Sequence, residues 1–354
     1  MRRFASFLVL SLCLAATAKA ETAGGQKDFE PLVSENTSGL DDNAYRHRNR
    51  HQHAEHGHSH RHSGHRHTRR RHATRPSHHD KPGEHTHGHG HHGVETEHLF
   101  GFTLGSDIDP PGGRHLILDL SGSFGKQTGS YSAWSTHVEY AFTPWQNFHV
   151  GLGASFASHR ISGVEGLEDR SQTAFEGLGL ELRQRFFDRK YAPFGLTLTA
   201  APHWARLDEK TGESADKWAA EFNLAADKEL IEDRLFAAVN LIYEPEWVRI
   251  KATGERERES TFGASFAAMM ALAPSVFLGG EVRYLRAYEG ISLNKFSGEA
   301  WFLGPTLYVS VNDRLSLIAA YSTQVSGRAA GGSTGLDLEN FERHRAKLKA
   351  VVNF

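Results

Sequence analysis

What the chain lacks narrows its class first. Cysteine occurs once, at Cys13, so the chain beyond it holds neither a disulfide nor a thiolate metal site. The one long apolar run, Phe4 to Ala16, falls short of the roughly 20 residues a membrane-spanning helix needs. No His-Glu-x-x-His motif occurs, and no Ser-His pair stands out for nucleophilic chemistry. These absences point away from an enzyme and from a helical membrane protein.

The run from Phe4 follows Arg2 and Arg3 and closes on Ala18-Lys19-Ala20. That is the order of a secretory signal, residues 1–20, with cleavage expected before Glu21. Cys13 could be acylated in a lipoprotein, but Leu12 stands where a small residue is expected and a better cleavage site follows.

Branched and aromatic side chains are nearly absent between Leu40 and Glu97. Such a stretch cannot bury enough apolar surface to offset its ordering entropy, so residues 21–97 are expected to be disordered. Imidazole dominates it instead: seventeen of the 24 histidines lie between Arg46 and His92, with ten Lys or Arg and three acids, Glu55, Asp80 and Glu84. His51, His53, His56, His58, His60, His62, His65 and His67 form one cluster, and His85, His87, His89, His91 and His92 form another. Neutral imidazoles in flexible alternation can ligate zinc, nickel, copper or cobalt through many exchangeable sites, and no cofactor is obligatory. The same tract reads equally as a basic low-complexity spacer or as a patch for anionic envelope surfaces. Export argues against nucleic acid as a partner.

From about His98 the pattern changes to a period of two. Leu116, Leu118 and Leu120 share one face, with His115, Asp119 and Ser121 on the other. Val138 and Tyr140 oppose His137 and Glu139, and Leu178, Leu180 and Leu182 oppose Glu181, Arg183 and Arg185. Repetition to the end of the chain predicts an all-β fold of twelve strands: 114–125, 130–142, 147–160, 171–186, 191–206, 216–229, 233–248, 259–272, 275–289, 299–311, 314–327 and 340–354. Short connections such as Pro144-Trp145 and Asn312-Asp313 alternate with longer polar ones, and aromatics such as Trp145, Phe148, Phe186, Phe187, Trp247 and Tyr288 gather near strand ends. Both are features of a transmembrane antiparallel β-barrel. Residues 216–229 and 340–354 are rich in helix formers, yet Trp218, Ala220, Phe222 and Leu224 alternate, as do Leu348, Ala350, Val352 and Phe354. They are read as strands.

The closing "LKAVVNF", with its alternating apolar residues and terminal Phe354, resembles the C-terminal signal by which proteobacterial outer-membrane proteins meet their barrel-assembly machinery. "ETEHLFGFTLGSD", residues 95–107, is similar to the opening of uncharacterised proteins of that class. The resemblance is to outer-membrane barrels of the porin or channel type. It implies contact with outer-membrane lipid and a bacterial outer-membrane location, with residues 113–354 as barrel and the His-rich segment in the periplasm. Residues 98–112 form a separate segment. A thirteenth strand there would break the even count, so it either enters the barrel mouth or lies against the periplasmic rim.

With apolar faces toward lipid, the pore-lining set is Asp119, Glu139, Glu181, Arg183, Arg185, Glu281, Arg283, Arg343, Arg345, Lys347 and Lys349. An unneutralised row of cations would favour anions. Pairing with the acids would close the lumen instead. His115, His137, His149 and His203 also face inward, as a shared metal site or as plain polar lining. The expectation is an outer-membrane channel whose tail captures divalent transition metal ions near the pore. A small-solute porin with an incidental tail and a closed envelope anchor are the alternatives.

Overall fold

The computed structural model describes residues 94–332 and 334–354. It contains twelve strands: β1 (Arg114–Phe124), β2 (Ser130–Trp145), β3 (Phe148–Ser162), β4 (Arg170–Phe187), β5 (Gly195–Leu207), β6 (Ser214–Ile231), β7 (Leu235–Ile250), β8 (Arg256–Ala273), β9 (Val276–Glu289), β10 (Lys295–Asn312), β11 (Leu315–Ala329) and β12 (His344–Asn353). Every strand pairs antiparallel with its sequence neighbours, and β1 closes on β12. That seam sets Leu116 beside Val352, Leu118 beside Ala350 and Leu120 beside Leu348.

Closure explains why the two helix-rich segments are strands. β6 pairs with both β5 and β7, and β12 with β11 and β1, so the ladders on both sides supply backbone partners without a helix. Intrinsic propensity, worth a fraction of a kcal/mol per residue, is a weak prior beside that demand. Gln146-Asn147, one of three two-residue connections, holds Asn147 at φ 65°, in the left-handed region that asparagine tolerates better than most residues.

The outer face follows from the period of two. Leu152, Leu178, Leu198, Leu224 and Leu241 lie partly exposed on it, which in water would be a liability and in hydrocarbon is a solvent match. Aromatics mark both rims. At the rim carrying the termini of β1 and β12, Trp145 stacks on Phe148 with ring centroids 4.7 Å apart, and Phe187 meets Phe194 edge-on at 5.8 Å. Toward the other rim, Trp218 pairs with Trp204 and with Trp247. Ten residues of β-chain separate Phe194 from Trp204; at about 3.3 Å each and a tilt of about 40°, this spans roughly 25 Å, the height of an outer-membrane apolar band. Among the described residues no helix is long and apolar enough to cross a membrane; the crossing elements are strands. The protein is an all-β transmembrane barrel.

Candidate functional site: a plugged lumen

Residues 94–108 occupy the lumen. The segment enters at the rim of the short turns, where Arg189 donates to the carbonyl of Val94 and, at 3.0 Å, to Asp107. It runs inward to Phe102, doubles back through Leu104 and Ser106, and leaves at Asp109 into β1. The two limbs touch: the Thr96 amide donates to Asp107 Oδ2 at 2.9 Å, and a Cβ on Gly105 would stand 2.0 Å from the carbonyl oxygen of Thr96. Only glycine permits that approach.

The wall holds this hairpin by side chains placed on six strands, β4 to β9. The Glu281 carboxylate on β9 accepts from the amides of Gly101 (2.6 Å), Phe102 (3.0 Å) and Thr103 (2.8 Å), from the Thr103 hydroxyl (2.9 Å) and from Thr306 on β10 (2.6 Å). Successive amides converging on one carboxylate form an anion nest. Asn240 on β7 both accepts from the Leu104 amide (2.7 Å) and donates to its carbonyl (2.9 Å). Asp227 on β6 accepts from the Ser106 amide and hydroxyl at 2.7 and 2.9 Å. Arg183 on β4 donates to Glu97 at 2.5 Å and to the Gly105 carbonyl at 2.7 Å. Leu99 and Phe100 supply the apolar part, packed on Phe236, Ala238, Ala267, Met269 and Phe277.

Beyond the hairpin toward the long loops lies a cavity of about 550 Å³, floored by His98, Phe102 and Leu104 and bordered above by Lys210 and by Asn340, Phe341 and Glu342 of the β11–β12 loop. That loop turns inward: Phe341 packs with Phe302 and Leu285, and Glu342 accepts from Arg345 at 2.8 Å. Burial opposes the charge on Glu342, but Arg345 and Lys126 overcome it and hold the carboxyl below its ordinary pKa.

Most of the expected pore-lining residues reach the lumen, but mainly as partners. Lys347 pairs with Asp119 at 3.2 Å, Arg185 bonds Asn147 at 3.0 Å, and Glu139 lies 3.4 Å from His137. Arg283 donates to Ser322 at 2.8 Å and covers the Phe102 ring with its guanidinium, 3.8 Å from the centroid. Glu181, Lys349 and Arg345 also line the cavity. Arg343 departs from the row: it precedes β12 and is exposed, because the strand takes up its alternation only at His344. A free cationic row is not what lines the cavity. Ten carboxylates border it against six Lys and Arg, with six of the acids on strands β4 to β8 and most cations on β9 and β12, so the surplus favours positive charge.

His115, His149 and His98 meet where the hairpin leaves the wall. The His98 and His115 rings lie edge to face at 5.0 Å, and His115 stacks on His149 at 5.1 Å. His137 stands beside Glu139, whereas His203 reaches the cavity farther along β5. The tail histidines from His51 to His92 lie outside the described residues. Gly331-Gly332-Ser333-Thr334-Gly335 spells Gly-x-Ser-x-Gly, but it falls between two antiparallel strands, not at the strand-to-helix turn that gives that spacing its catalytic meaning.

Sequence reasoning missed the holders Asp227, Asn240 and Arg189. A signal was present: Phe236 and Phe277 put large apolar groups on faces that are otherwise polar and inward, which marks something apolar inside.

Fold and site together define a plugged outer-membrane-type β-barrel. The chain belongs to DUF6662, a family of unknown function whose profile matches residues 92–354; the match takes in the hairpin and stops short of nearly all of the His-rich tract. No curated protein matches. Among solved structures the chain is similar to the COG4313 outer membrane channel from Pseudomonas putida F1, at 14% identity and a TM-score of 0.48 over 70% of this chain and 98% of that one. It is also similar to the translocator domain of the autotransporter NalP from Neisseria meningitidis, at 12%, 0.44, 70% and 90%, and to the NanC porin, at 11%, 0.40, 67% and 100%. At these scores none of the three bears on function.

Proposed function

We propose that this protein is an outer-membrane transport barrel for small cationic cargo, gated by the hairpin of residues 94–113. The observation that carries the reading is the acid-rich cavity directly against a segment tied to the wall by side-chain hydrogen bonds rather than by strand pairing. Such bonds exchange readily with water, each contributing about 1 kcal/mol net, whereas a thirteenth strand would be locked in the ladder. The hairpin begins at the short-turn rim, and this supports a periplasmic position for the preceding His-rich tract. There it would gather divalent transition metal ions by multivalent capture and raise their concentration at the mouth. Barrel-assembly machinery and outer-membrane lipid are the partners this reading requires.

A closed envelope anchor is the second reading, favoured by the number of bonds that hold the hairpin. Planar-bilayer recording of the full-length protein separates the two. The transport reading expects rare brief openings in the wild type, an open probability raised at least tenfold by Glu281→Ala, and cation selectivity in the open state. Silence in both proteins, each shown to be folded by heat-modifiable gel mobility, would leave the anchor. Replacing the tail histidines by serine is expected to remove any effect of micromolar zinc on opening frequency; a zinc response that persists unchanged would detach the tail from the gate.

A further inference from the structure

We propose that the seam between the hairpin and the wall is a binding site for one first-row transition-metal dication of the zinc class, held by His115, His149 and Glu97. One ligand atom from each of these residues lies within 4.8 Å of the others, and all three residues are buried. His115 and His149 are each 1% exposed. Both nitrogens of His149 and Nε2 of His115 are buried without a hydrogen-bond partner. An unpaired buried polar atom costs about 1–3 kcal/mol, and three on two adjacent rings call for a common partner.

The surroundings suit a cation. Asp109 Oδ2 lies 3.0 Å from His115 Nδ1. A carboxylate accepting there fixes the tautomer that leaves Nε2 as the ligand atom, the usual support for a metal-bound imidazole. His149 Nδ1 stands 3.8 Å from Glu97 Oε1 while its Nε2 faces Glu181 Oε1 at 3.7 Å. A second trio, Glu139, His149 and Glu181, meets the same 4.8 Å limit. His149 therefore bridges a site on the hairpin to carboxylates that line the cavity.

The carboxylates of Glu97, Asp109, Glu139 and Glu181 gather around these rings, with Arg183 paired to Glu97, a set that attracts a cation. Nitrogen and oxygen donors of this kind suit zinc, cobalt or nickel rather than calcium or magnesium. Closing from 4.8 Å to a tetrahedral shell, with bonds near 2.0–2.1 Å, takes inward movements of about 1 Å. His98, whose ring nitrogens are also buried and unpartnered, lies edge to face with His115 at 5.0 Å, beside the trio.

The site stands on geometry alone and depends neither on passage through the lumen nor on the tail. Its test uses the full chain with the seventeen histidines between Arg46 and His92 changed to serine, purified in detergent and loaded with cobalt(II) or zinc(II). One metal per chain should survive gel filtration, and cobalt should give the intense visible absorption of a four-coordinate site. His115→Ala with His149→Ala should remove both. Where that pair fails to show the heat-modifiable mobility of a folded barrel, His149→Gln alone should abolish the cobalt band, and Asp109→Asn should weaken affinity about tenfold or more. No retained metal in the folded tail-substituted chain overturns the site. Retained metal indifferent to substitutions at His115 and His149 overturns it equally.

Discussion

The two halves of this lumen are built from opposite chemistry. Toward the short turns, inward faces carry Phe236, Ala238, Met269 and Phe277, and the space is filled by Leu99 and Phe100. Toward the long loops, inward faces carry Glu221, Glu244, Glu246, Arg283 and Lys347, and the space is open. Both halves alternate with the same apolar outer face, so the difference owes nothing to the membrane. It shows that a barrel's interior is specified by what must lie there: a packed segment demands shape and satisfied hydrogen bonds, whereas a cavity needs only charges that find partners or water.

Breaking the filled half should produce the largest effects. Glu281→Ala strips a single acceptor from three amides and two hydroxyls. With each group left unpaired costing about 1–3 kcal/mol, the hairpin is expected to leave the lumen, which limited proteolysis would read as new cleavage between residues 99 and 106. Unchanged resistance to protease would mean that the apolar packing alone retains it. Phe100→Ala should cost about 3–5 kcal/mol of docking and show the same cleavage at lower denaturant.

Arg189→Ala, which removes a donor from Val94 and Asp107 at the rim, should act more weakly, exposing the first residues of the hairpin to hydrogen exchange while those near Glu281 stay protected. In the open half, Glu244→Gln with Glu246→Gln should lower cation over anion permeability several-fold, leaving the hairpin's protection from protease untouched. A shift in both properties would show that the halves are coupled.

The smallest effect concerns the inward-turned loop. Arg345 and Lys126 hold the pKa of Glu342 below its ordinary value despite burial. Its contribution to stability is therefore full above the ordinary carboxylate range and is lost as pH falls through the lower folded value. Loop opening, followed by hydrogen exchange around Phe341, should rise only in acid, and Glu342→Gln should flatten that dependence.

How much of this was legible in the chain differs by residue. The period of two through Leu116, Leu118 and Leu120, and its recurrence eleven times more, is local information that sidedness writes directly into sequence. The same alternation placed Asp119, Glu139, Glu181, Arg183 and Lys347 inward. It misplaced Arg343 because strand ends are set by where pairing stops, which no single strand records. The meeting of His115 with His149 and His98 was not legible: a residue on β1, one on β3 and one on the hairpin have no sequence spacing that signals contact.

By itself, then, the sequence determined the barrel, its strand number and which side chains face inward, because the contrast between lipid and lumen is repeated at every second residue. Only the tertiary structure decided that residues 94–108 fill half the lumen, that Glu281, Asn240 and Asp227 hold them there, and that imidazoles from three separate segments share one seam. Those are contacts across a closed cylinder, and their partners are fixed by ring closure and register rather than by neighbours along the chain.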